Sequence, residues 1–336
     1  MRIIILHIIL LCFLLISCRS EKKDVLRETV EYKVITDSIF TRMPGTMIKT
    51  DDYLVWQDPF AIDGFAHIID IKKDKEIAAI GVIGQGPDEF NTPSICTSSS
   101  KNSIFVYDMN TSHQAYYFID SLKENKNPYY KYTDNPQNSI TGIINIAENK
   151  FIISQPSKDK RFKIINNENI TEFGNPLISM QLDNSYDVYQ GAISYNYKRQ
   201  KFVFTSLRLP YIEIYDIKNN IPTLVYKSDL GKESYSIEGK TLKPYSHRKG
   251  ARDLTLLKDF IVVIQRDYDI DNIDESTVGM DFNKLPKTVF LYDYNGGLKK
   301  IVDVGIPIFR IAGNVKDNIL YAIGVNPDFV IVKCEL

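Results

Sequence analysis

Six short apolar runs recur along the chain, and each one follows a polar turn. The runs are Tyr53–Trp56, Ser103–Tyr107, Phe151–Ser154, Lys201–Thr205, Asp259–Ile264 and Asn318–Ile323. They are rich in Ile, Val, Phe and Tyr and are bounded by Asn, Asp, Gly, Lys and Pro, which is the pattern of strands separated by turns. Because no long segment shows helical periodicity with capping signals, the sequence predicts an all-β fold.

A second apolar run follows each of the first six after a variable loop. These runs are His67–Asp70, Tyr116–Asp120, Phe162–Asn166, Ile212–Asp216, Val289–Asp293 and Phe329–Lys333. Further strands, such as 76–80, 223–227 and 299–304, complete the units. A four-stranded unit cannot bury both of its faces alone, so six units predict a six-bladed β-propeller. The alternative is a β-sandwich with regular turns, in which the same strand order is not expected six times.

The sixth unit lacks an outermost strand, because the sequence ends at Leu336, just after the third strand of that unit. Residues Thr29–Ile35 precede the first unit and alternate as a strand should. We therefore expect this N-terminal segment to pair with the last unit and close the ring. The sequence then divides into residues 1–17 as a leader, 18–28 as a tether and 29–336 as the propeller.

The composition excludes several classes of function. Forty-one Lys and Arg against 42 Asp and Glu give a net charge of -1, whereas nucleic-acid binding needs a strongly basic surface. Four histidines and four cysteines are few for a metalloenzyme or a disulfide scaffold. We expect no nucleic-acid partner, no cofactor and no metal site. Cys96 and Cys334, the two cysteines of the propeller, are expected to be buried and unpaired, because nothing in their spacing brings them together; the alternative is one disulfide in an oxidising compartment.

The first 17 residues have the character of an export signal. A single early Arg2 precedes an apolar run that is too short to span a membrane comfortably, and a polar segment follows. Leu15–Cys18 resembles a bacterial lipobox, which implies cleavage before Cys18 and acylation of that cysteine. The alternative is an ordinary cleaved signal. Several acyl chains would anchor the chain firmly to the cell envelope, and Arg19, where inner-membrane retention favours Asp, points to the outer membrane.

A glycine-rich loop separates the first two units and reads Gly84-Gln-Gly86-Pro87-Asp-Glu89-Phe90. With the lipobox and the repeat, this stretch resembles the TolB-like six-bladed propeller lipoproteins, and the resemblance covers essentially the whole mature chain. It implies the propeller fold and carries over no catalytic residue. The glycines are expected to allow unusual backbone angles, Glu89 to satisfy local amides and Phe90 to pack between blades. A phosphate-binding loop is disfavoured because the Walker lysine and a following helix are absent.

Each of the first six apolar runs is the second strand of its unit. Candidate binding residues stand at or just after the end of that strand. The loops that follow these strands share one face of a propeller with the connections between blades, around the central channel. The candidates are Trp56, Gln57, Asp58, Tyr107, Asp108, Gln155, Arg208, Arg266, Asp267 and Asn326. For any one of them the alternative role is to cap a strand end. Arg208 and Arg266 occupy equivalent positions in units four and five, so they either lie side by side towards an anion or pair with nearby acids.

Two charged segments are associated with the fifth unit, one in its long loop and one in the connection that precedes it. The acidic run 267–275 begins like a calcium loop but has Asn272 at the glycine position and Val278 in place of the bidentate glutamate, which favours a solvated insertion. The preceding connection is basic, with Lys232, Lys240, Lys243, His247, Arg248, Lys249 and Arg252. It is expected to remain solvated, to contact an anionic surface or to balance the acidic run.

No nucleophile motif is present, so no catalytic residue is assigned. The sequence favours a lipid-anchored, non-enzymatic binding or scaffold propeller that holds a small ligand, a glycan, a peptide or a partner protein at its channel face. The alternative is a hydrolase or lyase acting on a glycan or lactone at the channel mouth, because propellers host such chemistry and fold alone does not determine function.

Overall fold

A computed structural model describes residues 25–37, 39–132, 141–155, 159–167, 169–231, 234–245 and 249–336. The predicted signal peptide and residues 18–24 of the tether, Cys18 included, lie outside these ranges. The described chain is a six-bladed β-propeller, as the repeat predicts. Each blade is one antiparallel sheet whose strands follow one another in the sequence from the centre outwards.

The blades, numbered in chain order, have the following strands. Blade 1 contains β3 (Met47–Lys49), β4 (Tyr53–Gln57), β5 (Asp63–Asp70) and β6 (Lys75–Val82). Blade 2 contains β7 (Pro93–Thr97), β8 (Ser103–Asp108), β9 (Gln114–Phe118) and β10 (Tyr129–Tyr132). Blade 3 contains β11 (Gly142–Ala147), β12 (Lys150–Ser154), β13 (Phe162–Asn166) and β14 (Asn169–Phe173).

The remaining blades follow the same order. Blade 4 contains β15 (Gly191–Asn196), β16 (Lys201–Ser206), β17 (Ile212–Lys218) and β18 (Ile221–Lys227), and a hairpin of β19 (Tyr235–Glu238) and β20 (Thr241–Pro244) comes after it. Blade 5 contains β21 (Leu254–Leu256), β22 (Ile261–Ile264), β23 (Thr288–Tyr292) and β24 (Leu298–Asp303). Blade 6 contains β25 (Ile308–Ala312), β26 (Ile319–Val325) and β27 (Phe329–Glu335).

Short helices occur only between strands in the described ranges. Two are single α-helical turns, Asp120–Lys123 and Ser185–Val188, and two are 3-10 turns, Glu275–Thr277 and Phe282–Lys284. None of these has the length and apolar character that crossing a bilayer requires.

Closure of the ring agrees with the prediction made for the N-terminal segment. Strand β2 (Tyr32–Thr36) pairs antiparallel with β27 and becomes the fourth strand of blade 6. Strand β1 (Leu26–Thr29) adds a parallel fifth strand to the outer edge of blade 5, beside β24. The sheet structure therefore begins at Leu26, three residues before the boundary expected at residue 29. Strand β1 was not predicted because residues 26–29 show no alternation of apolar and polar residues that would mark a strand.

The core consists of six apolar clusters, one at each interface between neighbouring blades. Strand β4 illustrates the arrangement: Leu54 and Trp56 join the cluster shared with blade 6, whereas Tyr53 and Val55 join the cluster shared with blade 2. Both faces of the strand are therefore buried. This explains why the second strand of each unit is a continuous apolar run rather than an alternating one.

The longest loop within a blade joins β22 to β23, and we call its residues 268–287 the strap. The strap leaves blade 5 and packs on the cluster shared by blades 6 and 1, where Val278 is 2% and Leu285 3% exposed. Phe282 contacts the rings of Phe309 and Phe329 at centroid distances of 5.4 and 5.1 Å. The expectation of a solvated insertion holds only in part: the side chain of Asp269 is 77% exposed, whereas Asp267 and Glu275 are buried and apolar residues downstream of the acidic run hold the strap against the core.

Candidate functional site

The channel face of the propeller carries the loops between second and third strands and the connections between blades. Most of the predicted binding residues on this face have their polar atoms engaged within the fold. Asp108 is fully buried and accepts backbone N–H bonds from Asn110 at 2.8 Å and Thr111 at 3.0 Å. Burial would raise the pKa of Asp108, but these and two further backbone hydrogen bonds outweigh it and lower the pKa. Asp108 therefore shapes a turn.

The two aromatic candidates are core residues. Trp56 is 3% exposed and stacks on His67 with a centroid distance of 4.2 Å. Tyr107 is also 3% exposed and belongs to the cluster between blades 2 and 3. In this structure neither ring presents a face to a ligand.

The remaining neutral and acidic candidates connect neighbouring segments. Gln57 donates from Nε2 to the Pro93 carbonyl at 2.6 Å, which joins blade 1 to blade 2. Asp58 accepts a hydrogen bond from the Thr41 hydroxyl at 2.9 Å. Asn326 donates to the Tyr32 hydroxyl at 3.2 Å, and Gln155 is 3% exposed.

Asp267 binds the N-terminal strand instead of facing the channel. Its carboxylate accepts from Nε of Arg27 at 2.7 Å, and Arg27 also reaches Asp269 at 2.5 Å. The first two acids of the acidic run therefore pair with β1. Among the described residues, no group of three or more His, Cys, Asp or Glu side chains is arranged to hold a metal ion.

Arg208 and Arg266 do come together, at a small cavity of about 140 Å³ between blades 4 and 5. We call it the cationic cavity, because its charged lining residues are Arg208, Lys249, Arg252, Arg266 and Glu275. Arg266 is 1% exposed at its side chain and is held by Glu275 at 2.7 Å and by Asp271. Arg208 pairs with Asp187 at 2.7 Å.

The basic connection that precedes blade 5 supplies half of these cations. Lys249 donates to the Glu275 carbonyl at 3.3 Å, and Arg252 lies 3.4 Å from the Glu275 carboxylate. Part of the basic segment thus balances the acidic run, which is one of the three alternatives that its sequence left open. Lys232, His247 and Arg248 lie outside the described residues.

A larger cavity of about 710 Å³ lies on the same face beside blade 6. We call it the large cavity, and three segments form it: residues 37 and 39–42, the strap at 280–283, and the loop between β26 and β27. Phe40 is 90% exposed and Met280 72% exposed at its lining, and Arg42, Asp281 and Asn283 add polar groups. The cavity therefore offers apolar surface beside donors and acceptors.

The glycine-rich loop differs from expectation in one respect. Gly84 and Gly86 do not adopt the left-handed backbone region that would require glycine. Instead, a Cβ at Gly84 would lie 2.1 Å from a carboxylate oxygen of Glu89, and the N–H of Gly86 donates to that carboxylate at 2.7 Å. The glycines leave room for the folded-back Glu89. Phe90 is fully buried between blades 1 and 2.

The model of the TolB-like 6-blade propeller-like family matches residues 24–311 of the sequence. The chain belongs to this family. None of the curated proteins compared with it gives a match.

Solved structures similar to this TolB-like propeller are more distant. U3-55K has 11% identity and a TM-score of 0.50, with 91% of this chain and 98% of that chain covered. The WD40 repeats of RRP9 have 11% identity and a TM-score of 0.48, with coverage of 91% and 97%. The β-propeller domain of Cps50 (Swd1) from Myceliophteria thermophila has 8% identity and a TM-score of 0.45, with coverage of 85% and 95%. At these identities the likeness concerns the fold alone.

The large cavity of the TolB-like propeller was not predicted from the sequence. Its most exposed apolar residues, Phe40 and Met280, come from a connection and from the strap, which do not repeat from blade to blade. The sequence signal that could have identified these two residues is a large apolar residue inside a polar loop.

A buried ion pair between blades 3 and 4 was not predicted from the sequence either. The guanidinium of Arg161 contacts the carboxylate of Glu213, with side chains 1% and 5% exposed. The hydroxyls of Tyr211 and Tyr215 donate to the same carboxylate at 2.6 and 3.1 Å. Burial and the charge of Glu213 raise the pKa of both tyrosines, so they remain protonated donors.

Both cysteines of the TolB-like propeller are free, as expected from their spacing, but only Cys334 is buried and Cys96 is partly buried. Burial raises the pKa of Cys96 to about 12 and that of Cys334 to about 11. At neutral pH both are therefore thiols rather than thiolates, and neither has the electropositive surroundings of a nucleophile.

Proposed function

We propose that this TolB-like propeller is an exported, lipid-anchored binding protein that holds its ligand in the large cavity without transforming it. The observation that carries the proposal is the cavity itself, whose volume of about 710 Å³ falls within the ordinary range for ligand pockets. Pockets of this kind combine apolar walls with a few polar groups that orient the ligand.

The lining indicates the ligand's chemistry. Phe40 and Met280 expose large apolar side chains that a monomeric soluble surface usually buries, and such exposure marks interaction sites. Arg42, Asp281 and Asn283 lie beside them with donors and acceptors. A ligand with an apolar face and polar edges, such as a glycan or a peptide segment of a partner protein, matches this arrangement.

The proposed anchor would turn the binding face away from the membrane. Strand β1 runs parallel to β24, which leads from the turn at 293–297 on the opposite face towards the channel face. Val25 packs near that turn with Tyr292 and Leu298, so the chain reaches the propeller at the opposite face. Six residues separate Cys18 from Val25, so the two Cα atoms lie at most roughly 25 Å apart. The opposite face would then lie next to the bilayer.

A glycan and peptide array probed with the purified chain tests the binding role. We expect selective binding to a subset of spots, and we expect Phe40→Ser with Met280→Ser to abolish it. Ile221→Ser, which removes a 66% exposed apolar residue from the outer strand of blade 4, is the matched control and should bind normally. Binding that persists in the double variant with an unchanged melting temperature would contradict the proposal.

Metabolic labelling with palmitate tests the anchor separately. The wild-type chain should incorporate label and sediment with membranes, whereas Cys18→Ser should do neither. Labelled protein in the Cys18→Ser preparation would exclude acylation at this residue.

A further inference from the structure

We propose that the cationic cavity is a second binding site. It binds a single oxyanion group, a carboxylate or a phosphate. This site does not depend on what occupies the large cavity. The proposal rests on the local charge, on unpaired guanidinium N–H groups and on the way the backbone builds the cavity.

The charge around the cavity is not balanced. Its four cations, Arg208, Lys249, Arg252 and Arg266, face three carboxylates that pair with them, those of Asp187, Asp271 and Glu275. One positive charge therefore remains at a site that is partly shielded from solvent, where an anion gains more than it would at an exposed lysine.

The guanidinium groups divide into one that is fully engaged and two that are not. All three donor atoms of Arg266 have acceptors: Glu275, Asp271 and the Lys284 carbonyl. By contrast, Nε of Arg208 and Nε of Arg252 are buried and have no hydrogen-bond partner. Buried N–H groups without an acceptor are rare and costly, and they are expected where an ion or water belongs. Arg266 thus fixes the wall, while Arg208 and Arg252 retain donor capacity.

The backbone brings these two arginines together. The N–H of Gly250 donates to the Leu207 carbonyl at 3.2 Å, and the N–H of Ala251 donates to the Ser206 carbonyl at 3.0 Å. A Cβ at Gly250 would lie 2.0 Å from the Ser206 carbonyl oxygen, so only glycine permits this close approach. The connection before blade 5 is therefore joined to the loop that carries Arg208.

The size of the cavity limits the ligand. About 140 Å³ accommodates one small charged group but not a sugar ring with its substituents. Arginine forks bind the oxygens of carboxylates and phosphates in the same way. The shared chemistry is an oxyanion, and the two sources can be separated by experiment.

Isothermal titration of the full chain with inorganic phosphate and, separately, with succinate tests the site. We expect one-site, saturable binding of at least one of the two. Arg208→Gln and Arg252→Gln should each weaken it at least tenfold. Arg199→Gln removes the same charge from the opposite face and should leave the affinity unchanged.

The outcomes separate clearly. Binding of phosphate alone assigns a phosphate group, binding of succinate alone assigns a carboxylate, and binding of both supports a general oxyanion site. Binding of neither overturns the proposal, as does equal affinity in wild type and Arg208→Gln. Arg208 is 39% exposed at its side chain, so this variant is expected to fold, and its melting temperature provides the check even if Arg252→Gln is unstable.

Discussion

Ring closure by strand β2 can be tested with two neighbouring substitutions, one on the buried face of the strand and one on its exposed face. Ile35 is 8% exposed and packs in the cluster between blades 6 and 1, whereas Val34 in the same strand is 45% exposed. Truncating a buried isoleucine to alanine costs about 2–5 kcal/mol, and a surface substitution costs about 0.5 kcal/mol or less. At about 2 °C per kcal/mol for a larger domain, Ile35→Ala should lower the melting temperature by about 4–10 °C and Val34→Ala by about 1 °C.

Differential scanning calorimetry of both variants measures these shifts directly. A pair of truncations extends the test, since a chain that begins at Val25 keeps β1 and β2 and one that begins at Ile39 lacks both. The longer chain should melt in one sharp transition and the shorter one in a broader transition at lower temperature, because blade 6 then exposes an unpaired edge. Equal shifts for the two point variants, or an unchanged transition in the shorter chain, would refute closure through β2.

Two further predictions concern a buried ion pair and the partly buried thiol of Cys96. Glu213→Gln should lower the free energy of unfolding by about 3–5 kcal/mol, measured in urea, because the guanidinium of Arg161 loses its charged partner; Asp187→Asn, at an exposed pair, should cost less than about 1 kcal/mol. Cys96 should resist iodoacetamide at pH 8 until the chain unfolds. Because its folded pKa of about 12 exceeds the ordinary value of 9.0, its contribution to stability is present below pH 9 and is lost as the pH rises towards 12. Rapid alkylation of the native protein would contradict this.

The fold was predictable because burial leaves a direct trace in the sequence. A strand such as β4, covered on both faces, is apolar at four of its five positions, and similar apolar runs recur in each blade. The candidate site leaves no such trace. An acid at the end of a strand, such as Asp108, has the same sequence context whether it caps a turn or binds a ligand, and only the position of the backbone amides distinguishes the two.

The pair of arginines also shows that a single sequence does not reveal which residues a site residue contacts. The equivalent positions of Arg208 and Arg266 predicted that they would lie near each other, and both line one cavity. Their partners could not be predicted, since Asp271 and Glu275 reach Arg266 only through the path of the strap, which no repeat specifies. A tertiary contact between a repeated position and a unique insertion has no signature in a single sequence.

The strap also explains why both cavities lie where the repeat is broken. Glu275 contributes to the cationic cavity, and Met280, five residues later, contributes to the large cavity. Between them Val278 is buried in the cluster of blades 6 and 1, so the segment is fixed at its midpoint. On the channel face of the blades themselves, most polar residues at the strand ends form their hydrogen bonds within the fold. The strap forms a second layer above these residues. The cationic cavity, with its unpaired donors, and the large cavity, with its exposed apolar surface, lie beneath and beside this layer. Specificity of the large cavity is therefore expected to follow the sequence of the strap and of residues 37 and 39–42 rather than that of the repeated strand ends.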